Sequence, residues 1–338
     1  MANEKDNLPE LNVDGLTLED IICIAIKDLP KSSPEERTIT SEFYRQAAII
    51  QGDIWDEPPF EWVPPHNLQA ADEIGGATLV AYVPLSTDGR VVPPEKASIR
   101  RVVGMIYETP GLKEDGSSYM YSHLMGTDRR VREKVNGVGL KLKILQRENN
   151  LARGNTEIRW TCDPLQPRNA NVNIRKCGAI AQVYKRDVYD LVGINEGVAA
   201  DRFETRWPIS SERVAHRLNG QGCNDEQVRE IISEASKVNF TVSKVVSGWP
   251  EYRLISGFNL ELQDSLIVLE IPINFPDMMR TLKEDIERTG FSAAADWREK
   301  TRLLFETYFS KRYVVRDFHA DNNEGRAFYL LEKDYKPK

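Results

Sequence analysis

The sequence predicts a mixed α/β fold, and three observations carry that expectation. Three β-rich runs follow one another within residues 77–127, and a glycine-led helical stretch at 137–153 runs into a further strand. Hydrophobic residues make up 41% and charged residues 29% of the 338, which is ordinary globular usage and excludes collagen-like, low-complexity and wholly disordered chains. No apolar run approaches the roughly 18 residues that a membrane span needs. The opening MANEKDNLPE has no basic region leading into an apolar one. The expectation is therefore a cytoplasmic protein of about two domains, with no membrane partner.

Each element has its own signal. Leu16 to Leu29 (LTLEDIICIAIKDL) reads as a short amphipathic helix that Thr17 or Asp14 would cap. Phe43, Ala47 and Ile50 stand at helical spacing in residues 38–52, and Pro58, Pro59, Pro64 and Pro65 then enforce a loop. Asn67 to Ile74 is a second helix, stopped by Gly75-Gly76. Ala77–Pro84, Arg101–Tyr107 and Tyr119–Thr127 are strands of an antiparallel meander, the last two joined by the turn cluster GLKEDGSS. Val138, Leu142 and Leu145 fit a 3.6-residue period after Gly137, and Gly154 ends that helix. A crossover of this kind makes the pairing with the next strand, Glu157–Cys162, parallel. A helix over Arg168–Cys177 and strands over Ala179–Tyr184 and Arg202–Trp207 follow. Residues 209–265 are the least readable, with one helix around Glu226–Lys237. Leu266–Ile271 is a buried strand, Pro276–Tyr308 is helical with a break at Gly290, and Tyr313–Phe318 with Arg326–Glu332 forms a hairpin.

Charge and cysteine usage narrow the partners. Lys and Arg number 45 against 52 Asp and Glu, so the net charge is −7, which argues against nucleic acid. The imbalance is local: residues 1–37 hold nine acids and four bases, while residues 129–153 hold eight bases and two acids. A basic stretch within an acidic chain suits an anionic ligand met at one place, although a solvated helix face gives the same letters. Cys23, Cys162, Cys177 and Cys223 and the histidines His66, His123, His216 and His319 are scattered. That spacing suits neither a zinc site nor a disulfide framework, so no metal is expected.

The segment Lys134-Val-Asn136-Gly137-Val138-Gly139 lies between a strand and a helix at the heart of the basic stretch. Glycines there let backbone N–H groups converge with no Cβ in the way, and the helix start adds partial positive charge, a natural seat for phosphate. The segment lacks the GK[ST] ending of a Walker loop. With the strand after it, and Asn169-Ala170 on a helix ending in Gly178-Ala179, the order of elements resembles the GNAT N-acetyltransferase superfamily. The strings Ser122-His123, Gln146-Arg147-Glu148 and Trp160-Thr-Cys-Asp163-Pro-Leu-Gln166-Pro-Arg168-Asn169-Ala170 resemble one predicted-acetyltransferase branch of it. Val63-Pro-Pro-His66, Asp201-Arg-Phe-Glu-Thr-Arg206-Trp207, Asp296-Trp297-Arg298, Thr301-Arg302, Tyr313 and Asp317-Phe318 fit the same branch, so the resemblance covers residues ~40 to 335.

The resemblance implies a GNAT-like mixed sheet with splayed parallel strands, Tyr119–Thr127 and Glu157–Cys162, pairing at Tyr119–Ser122 and diverging near Leu124–Gly126. The charge pattern sets off an acidic arm over 1–37, and the resemblance implies an acyltransferase domain over 38–213 and an appended C-terminal α/β domain over 214–338. Acetyl-CoA would be the cosubstrate of an N-acyltransferase working by direct transfer to an amine in a ternary complex. A small-molecule or peptide amine is the implied acceptor, and a homodimer is compatible with it. Lys134, Asn136, Gly137, Val138, Gly139 and Leu140 would hold the pyrophosphate; Leu124, Met125 and Gly126 the pantetheine and oxyanion; Arg168 and Asn169 touch coenzyme or substrate.

Two positions depart from the family pattern: its Arg or Gln is Lys134, and the tyrosine that serves as thiolate acid in many members is Ile174. That role would fall to Tyr184, Tyr189 or water. His123 is the first candidate base, because its pKa lies near working pH, and Glu108 is the second. A strand histidine bonded to a carbonyl and an exposed strand-end acid would give the same two letters. Asp163 reads as a helix cap. Trp55 and Trp62, in the proline-rich loop between the first helices, are candidate acceptor-pocket residues, where tryptophan is more often core. An inactive scaffold that binds acyl-CoA or a partner is the alternative function.

Overall fold

The computed structural model describes residues 11–55, 58–189, 197–222, 224–245 and 251–338. Cys223 and the loop glycine Gly193 fall outside the described residues. The chain forms two compact units, Met1–Ile158 and Arg159–Lys338, a different cut from the expected 213/214 boundary. Both are mixed α/β.

In the first unit the strands are β1 (Ile22–Ala25), β2 (Ala77–Leu85), β3 (Ile99–Leu112) and β4 (Ser118–Thr127), side by side in that order. All three pairings are antiparallel, as expected for the meander. Helices α1 (Pro34–Trp55) and α2 (Pro65–Glu73) cover one face through Phe43, Ala47, Ile50 and Leu68. Helices α3 (Arg129–Lys134) and α4 (Val138–Ala152), with Val135 between them, cover the other through Val131, Val135, Val138 and Leu142. A strand covered on both sides reads as a near-continuous apolar run, and β2 is buried along its whole length, with the Thr78 hydroxyl satisfied by the Leu68 carbonyl. Gly75, at φ +96°, ends the α2 segment in the left-handed region that glycine adopts freely.

The helix expected over Leu16–Leu29 is a correction: Ile22–Ala25 is strand β1, paired with Leu79–Tyr82. The edge of β2 offers this apolar run a ladder, and that tertiary pairing overrides its helical period. Thr17 donates from its N–H and hydroxyl to Asp20, forming a local turn that leads into no helix.

Strand β5 (Ile158–Cys162) follows at the boundary, and the Met120 N–H donates to the Glu157 carbonyl just before it, at 3.0 Å. In the second unit the strand order is β5, β7 (Arg202–Trp207), β6 (Ile180–Lys185), β12 (Tyr313–Asp321), β13 (Arg326–Lys333), β11 (Leu266–Ile271) and β8 (Ser236–Lys237). The expected helix over Arg168–Cys177 is a short α-helix, α5 (Pro167–Ala170), that widens into a π-helix over Asn171–Lys176. Helices α6 (Glu212–Leu218) and α7 (Asp225–Glu234) follow β7. The unreadable region also holds a separate two-stranded ladder, β9 (Asn239–Val245) with β10 (Glu251–Phe258), missing from the sequence reading. The helical stretch is three helices, α8 (Phe275–Arg280), α9 (Leu282–Thr289) and α10 (Ala293–Ser310), with Gly290 at φ +67° as the stop after α9. Among the described residues no helix is long and apolar enough to cross a membrane.

Candidate functional site

The first unit carries most of the expected residues, distributed over both faces of its sheet. Strand β4 carries one extra residue against β3: Tyr107 pairs with Leu124 and Glu108 with Ser122, so His123 is the bulged position. The bulge changes which residues face which helix layer. Beyond it Met125 packs on the α4 side, within 3.3 Å of where a Gly139 Cβ would stand. Gly126 faces α1 instead, where an added Cβ would meet Ile54 Cγ2 at 2.4 Å and Trp55 Cζ2 at 3.1 Å. The space over Gly126, expected to be open, is therefore filled on that side by Ile54 and Trp55.

The His123 ring has Tyr107 at 5.9 Å, edge-on, and Tyr121 at 6.2 Å between ring centroids. Burial lowers the imidazole pKa below the ordinary 6.5, although His123 as a whole stays exposed. A lowered pKa leaves His123 neutral, as a proton acceptor must be, at pH 7.

Glu108 is not an exposed strand-end acid. It is fully buried. Its Oε2 accepts from Gln146 Nε2 at 2.7 Å, and its Oε1 from Asn150 Nδ2 at 2.7 Å and Arg153 at 2.9 Å. Arg153 also donates to the Gly75 and Gly76 carbonyls, tying the end of α4 to the turn after α2. With both oxygens occupied, Glu108 has no free lone pair facing solvent from which to take a proton. Asn150 and Arg153 give no sign in the sequence, and Gln146 appears there only within the string Gln146-Arg147-Glu148, because polar letters on a helix suggest its wet face; their shared spacing with Lys143 is the signal that could have found the cluster.

Gly137 takes φ +100° and forms the start of α4, which has no side-chain cap. The first N–H groups of a helix have no intrahelical partner, so Val138, Gly139 and Leu140 present their donors here. The acidic arm lies nearby: Asp14 pairs with Lys134 at 3.4 Å, and Leu18 Cδ2 is 3.1 Å from where a Gly137 Cβ would be. Lys141 donates to the Leu18 and Ile21 carbonyls. The Trp62 ring occupies the space over Gly52 of α1, and Gln51 holds Val63 by both its amide N–H and its carbonyl. Trp62 is thus a packing residue of the loop, whereas Trp55 borders the β4 bulge region.

The remaining candidates belong to the second unit. Arg168 and Asn169 are exposed on α5. Asp163 accepts from the Leu165 N–H at 2.9 Å in a local turn rather than capping α5, whose N-cap position is Gln166, and it also pairs with buried Arg298 at 2.8 Å. Ile174 is buried in the π-helix. Tyr184 donates its hydroxyl to Asp201 at 2.8 Å, and burial pushes its pKa well above the ordinary value. Tyr189, the other candidate acid, shares a hydroxyl bond with Thr161 at 3.1 Å.

No family model matches the chain, and no curated protein does. Among solved structures it is similar to the NatC complex bound to Gag peptide and CoA, at 16% identity and TM-score 0.37 over 56% of this chain and 98% of that one. The yncA protein of Salmonella typhimurium with acetyl-CoA matches at 12% identity and TM-score 0.37 over 56% and 95%. A ribosomal-protein-alanine N-acetyltransferase from Brucella melitensis matches at 16% identity and TM-score 0.34 over 53% and 97%.

Proposed function

We propose that the chain is a GNAT-type N-acyltransferase that takes acetyl-CoA as cosubstrate and passes the acetyl group directly to an amine. The observation that carries the reading is the start of α4: a left-handed Gly137 with no side-chain cap, in the same unit as the strand with the bulged histidine. The pyrophosphate would rest on the N–H groups of Asn136 to Leu140, with Lys134 supplying charge without a planar fork. The pantetheine arm would run along Leu124–Gly126, and Arg168 and Asn169 would bear on coenzyme or acceptor.

The chemistry then needs three things of the protein. His123, neutral at pH 7, takes the proton that the attacking amine loses as the C–N bond forms. A backbone N–H around Leu124–Gly126 meets the oxyanion of the tetrahedral intermediate. The departing thiolate needs a proton; Tyr184, committed to Asp201, is poorly placed to give one, so water or the amine-derived proton serves. Trp55 borders the acceptor side. A domain arrangement of arm, acyltransferase domain and appended C-terminal part, in a cytoplasmic protein, completes the reading.

Ile174 and the Asp14–Lys134 pair favour the second reading, a scaffold that binds acyl-CoA without transfer. One experiment separates them. Incubation with acetyl-CoA and a panel of free lysine, spermidine and short peptides, followed by thiol release and product mass, is expected to give an acetylated amine. Coenzyme binding with no thiol release from any member would leave the scaffold reading.

A further inference from the structure

The buried polar cluster around Glu108 is expensive. Glu108, Gln146 and Asn150 are wholly inaccessible, Lys143 is 2% exposed and Ser122 is 5% exposed. Replacing such a cluster by apolar side chains commonly costs nothing in stability or gains some, so stability alone does not explain it. Its position does. Glu108 and Ser122 are register partners, the last regular rung before the bulge. One amide ties both: Gln146 Nε2 donates to Glu108 Oε2 at 2.7 Å and to Ser122 Oγ at 3.0 Å. Lys143 Nζ donates to Gln146 Oε1 at 3.0 Å, which fixes which end of the amide faces the strands. On the far side of the bulge Met125 packs against the same helix. Helix α4 thus grips β4 at Ser122 and again at Met125. Between these grips His123 and Leu124 are left to the opposite face, where Tyr107 and Tyr121 receive the imidazole.

We propose that Gln146 is a positioning residue that locks the β4 bulge and thereby sets the orientation of His123 between Tyr107 and Tyr121. This deepens the acyltransferase reading, which makes His123 the base, but the geometry it claims needs no substrate. Among the described residues, the titratable groups in ring contact with it are Tyr107 from β3 and Tyr121 from its own strand. Burial, with no contribution from a neighbouring charge, lowers its pKa.

The test is a histidine-resolved NMR titration of the whole protein and of Gln146→Leu, with exposed His66 as an internal control. The midpoint of His123 is expected to rise toward the ordinary histidine value in the variant as the ring leaves its aromatic slot, while His66 stays put. With a competent acceptor, kcat should fall about tenfold with KM for acetyl-CoA unchanged. An unmoved His123 midpoint in a folded Gln146→Leu protein overturns the proposal. If that variant does not fold, Ser122→Ala removes one acceptor only, and a smaller rise is expected; no rise overturns the proposal equally. A shifted midpoint in a protein that transfers no acetyl group would uphold this clamp and sink the acyltransferase reading instead.

Discussion

At the scale of the residue, His123 and Glu108 were rival candidates, and their surroundings separate them. His123 is a bulged residue beside two aromatic rings with its pKa held below 6.5 by desolvation. Glu108 spends both oxygens on three donors. His123→Ala should lower turnover by about 10²-fold with coenzyme affinity nearly kept; turnover within a few-fold of the parent would remove the base role. A base must be unprotonated, so kcat/KM should climb with pH through a midpoint below ~6.5 and level off above it. A midpoint above that value would contradict desolvation as the controlling influence. Glu108→Ala should instead cost stability, about 3 kcal/mol, because Gln146, Asn150 and the partly exposed Arg153 lose their shared acceptor. Urea denaturation checks this, and a loss under ~1 kcal/mol would mean that the cluster rearranges freely.

At the scale of the element, Gly137 and Gly139 differ in what they require. Gly137 stands at φ +100° with Leu18 beside it, so Gly137→Val should cost about 1–2 kcal/mol in backbone strain and block the helix start. Gly139 has an ordinary backbone and only the flexible Met125 methyl in the way, so Gly139→Ala should leave the thermal midpoint almost unchanged. A Gly137→Val protein as stable as the parent would show that this turn can adjust. Much of this architecture was legible in the letters. The run ATLVAYVP has no polar face because both faces of β2 are covered, and Gly75-Gly76 marks the turn after α2. The rest failed for physical reasons. ICIA has the composition of either element, and only the edge of β2, far away in sequence, decides for strand. NFTVSKV hides its strand because its apolar letters point outward: Asn239 is buried while Phe240 and Val242 are exposed. The clamp on the bulge was invisible because Glu108, Gln146 and Asn150 look like surface letters until the fold brings them together.

At the scale of the molecule, the charge pattern read from the sequence has a structural counterpart. The acidic arm and the basic stretch meet at Asp14 and Lys134, within the first unit. The second unit holds its own buried carboxylate, Asp201, fully shielded from solvent. Burial opposes its charge, but Arg302, the Asp187 N–H and Tyr184 outweigh it and hold the pKa below the ordinary value. A depressed folded pKa means that this contribution is present above ~pH 4 and is lost as pH falls through the folded value. Thermal midpoints between pH 5 and pH 3 should therefore fall less steeply for Asp201→Asn than for the parent; parallel slopes would assign acid unfolding to other groups. The central claim is that acetyl-CoA is seated on the turn at Gly137, and calorimetric titration of the parent and of Gly137→Val with acetyl-CoA tests it most directly. Saturable binding by the parent, lost in a Gly137→Val protein that remains folded, is the expected result. A parent that shows no binding, or a variant that binds as tightly as the parent, would contradict it.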